Sequence, residues 1–138
     1  MQTPEDISAD FPEWPDWWCG VKEDIRYGQG LIDAMRPFVV HLMSRGLKEK
    51  TIRNHMDNLW LLGGEIIRSV STFDEYGIPP EENLRRSVDE EGGPYCRHLH
   101  SEAHQTSYDA TCRKLHKFLK ATRQPSGAFF DDLIEEEI

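Results

Sequence analysis

Two runs of basic residues carry the clearest chemistry in the chain. Lys48, Lys50 and Arg53 open a segment whose apolar residues fall at Ile52, Met56 and Leu59, and Arg113, Lys114, Lys117, Lys120 and Arg123 crowd a second one. Cations three and four residues apart on a helix share one surface. There they can neutralise successive phosphates and release counterions. The same residues also suit solvated faces paired with nearby acids, and the overall charge favours that second use. The 138 residues hold 16 Lys and Arg against 25 Asp and Glu, net −9 at pH 7, and such a chain is repelled by a polyanion. The charge is segregated, however: −6 over residues 1–24, +3 over 25–60, −5 over 61–96, +4 over 97–123 and −5 over 124–138. Salt screens beyond ~8–10 Å, so local charges dominate and a positive face is compatible with a negative sum.

Cys96, His98, His100, His104, Cys112 and His116 form a second cluster. His100–His104 and Cys112–His116 are i,i+4 pairs of the kind that can share a metal ion on a helix face. Neither CxxC nor HExxH occurs, and Cys112 falls on an apolar stripe, so the expectation is a structural or surface role, with no metal and no cofactor. Cys112 beside His116 lacks an orienting acid and an oxyanion hole, and no catalytic residue is assigned. Two aromatic segments remain. FPEWPDWW either lays its tryptophans across the body as plugs or offers Trp14, Trp17 and Trp18 to a protein partner. FFDDLIEEEI sets Phe129 and Phe130 among five acids. Disorder, folding back onto the basic helices, mimicry of nucleic acid and docking in a partner's groove all suit it.

The elements that position these groups read as helices, with no convincing strand alternation. Leu31, Met35, Phe38, Val39, Leu42 and Met43 make one stripe, predicting a helix from about Leu31 to Arg45 that Gly46 ends. Pro37 lies in its first turn if Asp33 or Ala34 caps it, and kinks it if the helix starts earlier. A second helix is expected over about 48–70, with Gly63-Gly64 marking a close helix–helix approach or a bend, a complete break being the alternative. A third short one follows Pro80 over about 81–89, and a fourth covers about 101–122. The length fits one domain: an aromatic, acidic arm (1–27), a helical body (28–123) and an acidic tail (124–138). No apolar run approaches the ~18 residues of a membrane span. The acidic start lacks the pattern of a secretory signal, and three scattered cysteines fit a reducing cytoplasm. The fold expectation is all-α, a compact bundle of about four helices.

With the helices placed, the pattern Phe38, Leu42, Gly46, Leu47, Thr51, Ile52 and Leu59 resembles the start of the core-binding, SAM-like domain of tyrosine recombinases (the phage integrase family). YDATCRKLHKFLKA, with Leu115, Phe118 and Leu119, resembles that domain's last helix, so the likeness spans roughly residues 28–123. Lys48 stands where the family usually has a capping residue. The resemblance implies a DNA-clamping role for the basic residues of helices two and four. The family's catalytic arginines, histidine and tyrosine belong to a domain that would follow, and residues 124–138 leave no room for it. The expectation is therefore a non-catalytic domain that binds duplex DNA or regulates a DNA-recombination partner, with acidic termini covering its basic face. The alternative is an acidic protein-interaction or inhibitor module, a DNA mimic being one form of it, working through the arm or tail.

Overall fold

A computed structural model describes residues 2–122; Met1 and residues 123–138, which include Arg123, Phe129 and Phe130, lie outside the described residues. The elements in chain order are α1 (Pro4–Ile7), a 3-10 turn (Phe11–Glu13), α2 (Trp14–Trp18), α3 (Lys22–Ser44), α4 (Glu49–Phe73), α5 (Pro80–Ser87) and α6 (Glu102–Thr122). The fold is all-α: among the described residues there is no strand, only an isolated bridge between Asp89 and Gly92. None of these helices is long and apolar enough to cross a membrane. α3 packs against α2, α4 and α5, and α4 carries α6 on another face. The core runs between them through Leu31, Met35, Phe38, Met56, Leu59, Leu62, Tyr108 and Leu115, all fully buried.

α3 begins at Lys22, well before the Leu31 start that the apolar stripe suggested. Asp24 makes the early start possible. Its carboxylate accepts from the N–H groups of Gly20 (2.8 Å) and Val21 (3.2 Å), which would otherwise be orphaned at the helix entry. Tyr76, in the chain after α4, donates its hydroxyl to the same carboxylate at 2.7 Å. Burial pushes the Asp24 carboxyl up, but the bonds from Gly20, Tyr76 and Val21 outweigh it and hold the group below its ordinary value. The longer helix runs through residue 27, so arm and body join without a linker. It also puts Pro37 in the helix interior. The carbonyl that Pro37 leaves without an N–H belongs to Asp33, and both residues are exposed, so water can serve it.

Much of the N-terminal arm is part of the body. Phe11 and Trp14 are buried, their rings edge to face at 4.7 Å. Trp14 is thus a core residue and not a free partner anchor. Trp18 is half-buried and lies on Gly63 and Gly64 of α4, donating its indole N–H to the Trp60 carbonyl at 3.0 Å. The glycine pair therefore marks a close approach, but by an indole ring and within one unbroken α4. Of the arm's three tryptophans only Trp17 stays in water, at 57% exposure.

α4 extends to Phe73 and stops at Asp74, which takes the left-handed conformation (φ 53°) usually left to glycine. Pro80 takes the first position of α5 as expected, and α5 stops at Ser87. Arg85 of α5 donates to the Leu119 carbonyl at 2.6 Å, satisfying one of the acceptors left open by the last turn of α6. A buried polar seam joins α4 to α6. Asn58 donates to the Ser107 carbonyl (3.2 Å) and to the Thr111 hydroxyl (2.9 Å), and His55 Nδ1 lies 2.8 Å from that same hydroxyl. Sliding or rotating α6 would strand these groups without partners at a cost of about 1–3 kcal/mol each, so the seam fixes α6's register on α4.

Candidate nucleic-acid interface

The hinge between α3 and α4 is short because Gly46, at φ 76°, turns the chain in one step. The seam then decides what faces that hinge. One turn beyond Thr111, α6 presents Lys114, Lys117 and Phe118 towards the C-terminal end of α3. The result is a groove of about 490 Å³ between the two helix ends and the hinge. Its apolar lining comes from Phe38, Leu42, Leu47 and Phe118, and its cations are Arg45, Lys114 and Lys117, with His41 beside them. The Phe118 ring is tilted against Phe38 at 5.6 Å and against His41 at 4.9 Å, which anchors the α6 side of the groove.

The groove cations have no acidic partner among the described residues. The ion pairs there are Arg36–Glu5, Arg53–Glu49, Arg68–Glu65, Arg85–Glu81 and Arg86–Glu75. Lys114 makes itself felt on its neighbour: burial first, and the Lys114 charge second, hold the His55 imidazole below its ordinary value. The site is therefore locally positive although the chain is acidic.

Of the basic residues expected to line this face, Lys114 and Lys117 meet in the groove. Lys48 and Lys50 stand exposed at the start of α4, directly after the hinge. Arg113 and Lys120 are exposed on α6 but outside the groove lining. Arg53 is engaged elsewhere, donating to the Ile7 carbonyl at 3.0 Å and pairing with Glu49 at 2.8 Å, so it ties α1 to α4. Arg123 lies outside the described residues.

Among the described residues, the one ion pair made by an acid of the N-terminal arm is with Arg36 of α3 and not with a groove cation. Glu5 binds Arg36 through two contacts of 2.6 and 3.0 Å, and that guanidinium holds the Glu5 carboxyl down at about 2. Glu5 thus neutralises Arg36 of α3, not the groove. Arg45 was missed as a site residue because it also suits the negative end of the α3 dipole. The basic hinge RGLKEK was the signal that could have included it.

The cysteine–histidine cluster does not converge. Cys96 and Cys112 are buried, His98 and His100 are exposed, and no group of three or more metal-ligating side chains comes together among the described residues. Burial pushes the Cys112 thiol up to about 12, so it carries almost no thiolate at neutral pH. No protein-family model, no curated protein and no solved structure matches the chain.

Proposed function

We propose that this chain is a non-catalytic helical DNA-binding domain, akin to the SAM-like core-binding domain its sequence resembles, that holds a duplex backbone at the α3–α4–α6 corner. One observation carries the reading. Two basic segments some sixty residues apart in sequence meet around one groove, Arg45 from the first and Lys114 and Lys117 from the second. Lys48 and Lys50 extend the positive surface along α4. The unpaired first N–H groups of α4, whose N-cap Lys48 makes no side-chain cap, add partial positive charge on the same side. Three to five phosphates neutralised there would give a salt slope of about −3 to −5 in log K against log salt. The acidic tail, which continues from α6 where Ala121 and Thr122 line the groove, supplies a local competitor for these cations. The buried free thiols Cys96 and Cys112 suit a reducing cytoplasm.

The test is binding of fluorescent duplex DNA across a salt series by three full-length proteins: the native chain, Lys114→Glu/Lys117→Glu, and a chain with Asp131, Asp132, Glu135, Glu136 and Glu137 changed to their amides. The neutral-tail protein should bind tightest and the charge-reversed one should not bind. If no protein binds even at low salt, the DNA reading fails. A second reading has its own support in the apolar lining Phe38, Leu42, Leu47 and Phe118, which suits an acidic amphipathic helix better than a phosphate chain. In that case the domain is a protein-interaction or inhibitor module, and a peptide carrying FFDDLIEEEI added in trans would bind the neutral-tail protein.

A further inference from the structure

Where α2 packs against α4, the structure builds a second hollow that shares no lining residue with the groove. It holds about 380 Å³ and is lined by Trp14, Trp17 and Trp60 together with Asp10, Asp57 and His104. Trp17 and Trp60 stand almost perpendicular, at 87° with centroids 6.4 Å apart, forming two adjoining walls. We propose that this hollow is a binding site for a small alkylated ammonium ion, held against the indole faces of Trp17 and Trp60 and neutralised by Asp10 and Asp57. The proposal is independent of the DNA reading.

Three features point to that ligand class. Indole rings offer the best π face for a cation, and two walls at right angles present two such faces to one guest. The formal charges are two carboxylates, and neither forms an ion pair among the described residues; Asp10 only accepts from the Ser8 hydroxyl at 2.6 Å. Burial pushes the Asp57 carboxyl up and the Asp10 charge pushes it the same way, against the pull of Arg53 and His104. Arg53 is already paired with Glu49, so a further cation would relieve the crowding of the two acids. A bare ammonium is strongly hydrated and gains little from apolar walls, whereas an alkylated one is weakly hydrated and matches them. A metal ion is poorly served, since no group of three ligating side chains converges among the described residues.

The site is also pre-built. Trp14 and Trp18 anchor α2 in the body, which fixes the backbone that carries Trp17, and the Trp17 ring already rests against Trp60. Trp60 has a loose end of its own, an indole N–H that is buried and without an acceptor among the described residues.

Proton–nitrogen correlation spectra of the full chain give separate signals for the four tryptophan indoles and test this directly. Choline chloride, tetramethylammonium chloride and the uncharged tert-butyl isostere of choline are titrated at constant ionic strength. Both cations should shift the Trp17 and Trp60 indole signals saturably, with the isostere about 5-fold weaker or worse. Trp17→Ala, at an exposed position, should keep the dispersed spectrum and weaken choline about 5–30-fold, and Asp57→Asn should weaken it about 3-fold. Equal binding of the isostere would mean a merely apolar hollow and overturn the proposal. So would a failure to saturate by about 50 mM, or an unchanged affinity in Trp17→Ala.

Discussion

Gly63→Ala sets helix propensity against a rigid ring, and the structure decides the sign. In an exposed helix interior the change would stabilise by about 1 kcal/mol, because glycine loses more backbone freedom than alanine. At Gly63 the new methyl would land on the six-membered ring of Trp18, closer than atoms in real structures approach. The ring has no easy retreat. Its indole N–H is bonded to the Trp60 carbonyl, and its other side meets Trp14 at a centroid distance of 5.9 Å. Overpacking of this kind costs about 1–3 kcal/mol. Losing the Trp18 hydrogen bond as the ring shifts adds about 0.5–1.5 kcal/mol. Set against the propensity gain, the net expectation is a loss of about 0.5–3.5 kcal/mol.

The neighbouring glycine is the internal control. A methyl at Gly64 would sit 3.5 Å from Trp18 Cδ1, an ordinary contact, so Gly64→Ala should stabilise by about 1 kcal/mol. Two adjacent glycines in one helix thus respond with opposite signs. The Trp18→Ala background should then reverse the first sign, since with the ring gone Gly63→Ala recovers its propensity gain. Urea denaturation followed by far-ultraviolet circular dichroism measures all of these without relying on tryptophan emission. If Gly63→Ala stabilises the native chain, or still destabilises once Trp18 is removed, the indole-on-glycine account is wrong.

Two further outcomes follow from buried titratable groups. His55 is held neutral by burial and by Lys114, so the folded chain takes up its proton at lower pH than the unfolded chain does. This contribution to stability is complete above the ordinary value of 6.5 and declines as pH falls through it, until the folded ring itself titrates; His55→Gln should flatten that part of the stability–pH curve, and an unchanged slope there would refute the assignment. Cys112 has its thiol pushed up to about 12 and is buried with Cys96, while Cys19 is half-exposed; a thiol reagent at neutral pH should therefore label only Cys19 rapidly in the native chain and all three after unfolding.

The helical class was legible because apolar spacing at three and four residues survives in any bundle, and Gly46 and Pro80 marked a stop and a start through their backbone chemistry alone. The start of α3 was not. The apolar stripe begins only at Leu31, and the turns of α3 before it carry Gly28 and Gly30, where other parts of the chain press close, Gly28 against Pro15 and Trp18. A glycine required by a neighbour looks the same in sequence as a glycine required by a turn. The arm lies across the body as the plug reading has it, with Phe11 and Trp14 buried and Trp18 on α4. Its prolines argue against a long helix, but a 3-10 turn and two short helices tolerate them at their first or second positions.

The candidate site was legible as composition and illegible as direction. Eight basic residues were visible on two segments, and the structure sends the described ones different ways: Lys114 and Lys117 to the groove, Arg53 to the Ile7 carbonyl, Arg113 and Lys120 to open solvent. What sorts them is the seam of His55, Asn58 and Thr111, polar groups facing inward at the α4–α6 contact. At 100° per residue, a one-position rotation of α6 would carry Lys114 out of the groove and put Arg113 or Leu115 in its place. The groove's charge is thus set by hydrogen bonds one turn away from it, between neutral residues that carry no charge signal in the sequence. Arg45 joins the same cluster only because Gly46 turns the chain immediately behind it. Positive potential at this corner is therefore a property of the packing, and the net charge of −9 describes the chain without describing the surface a ligand meets there.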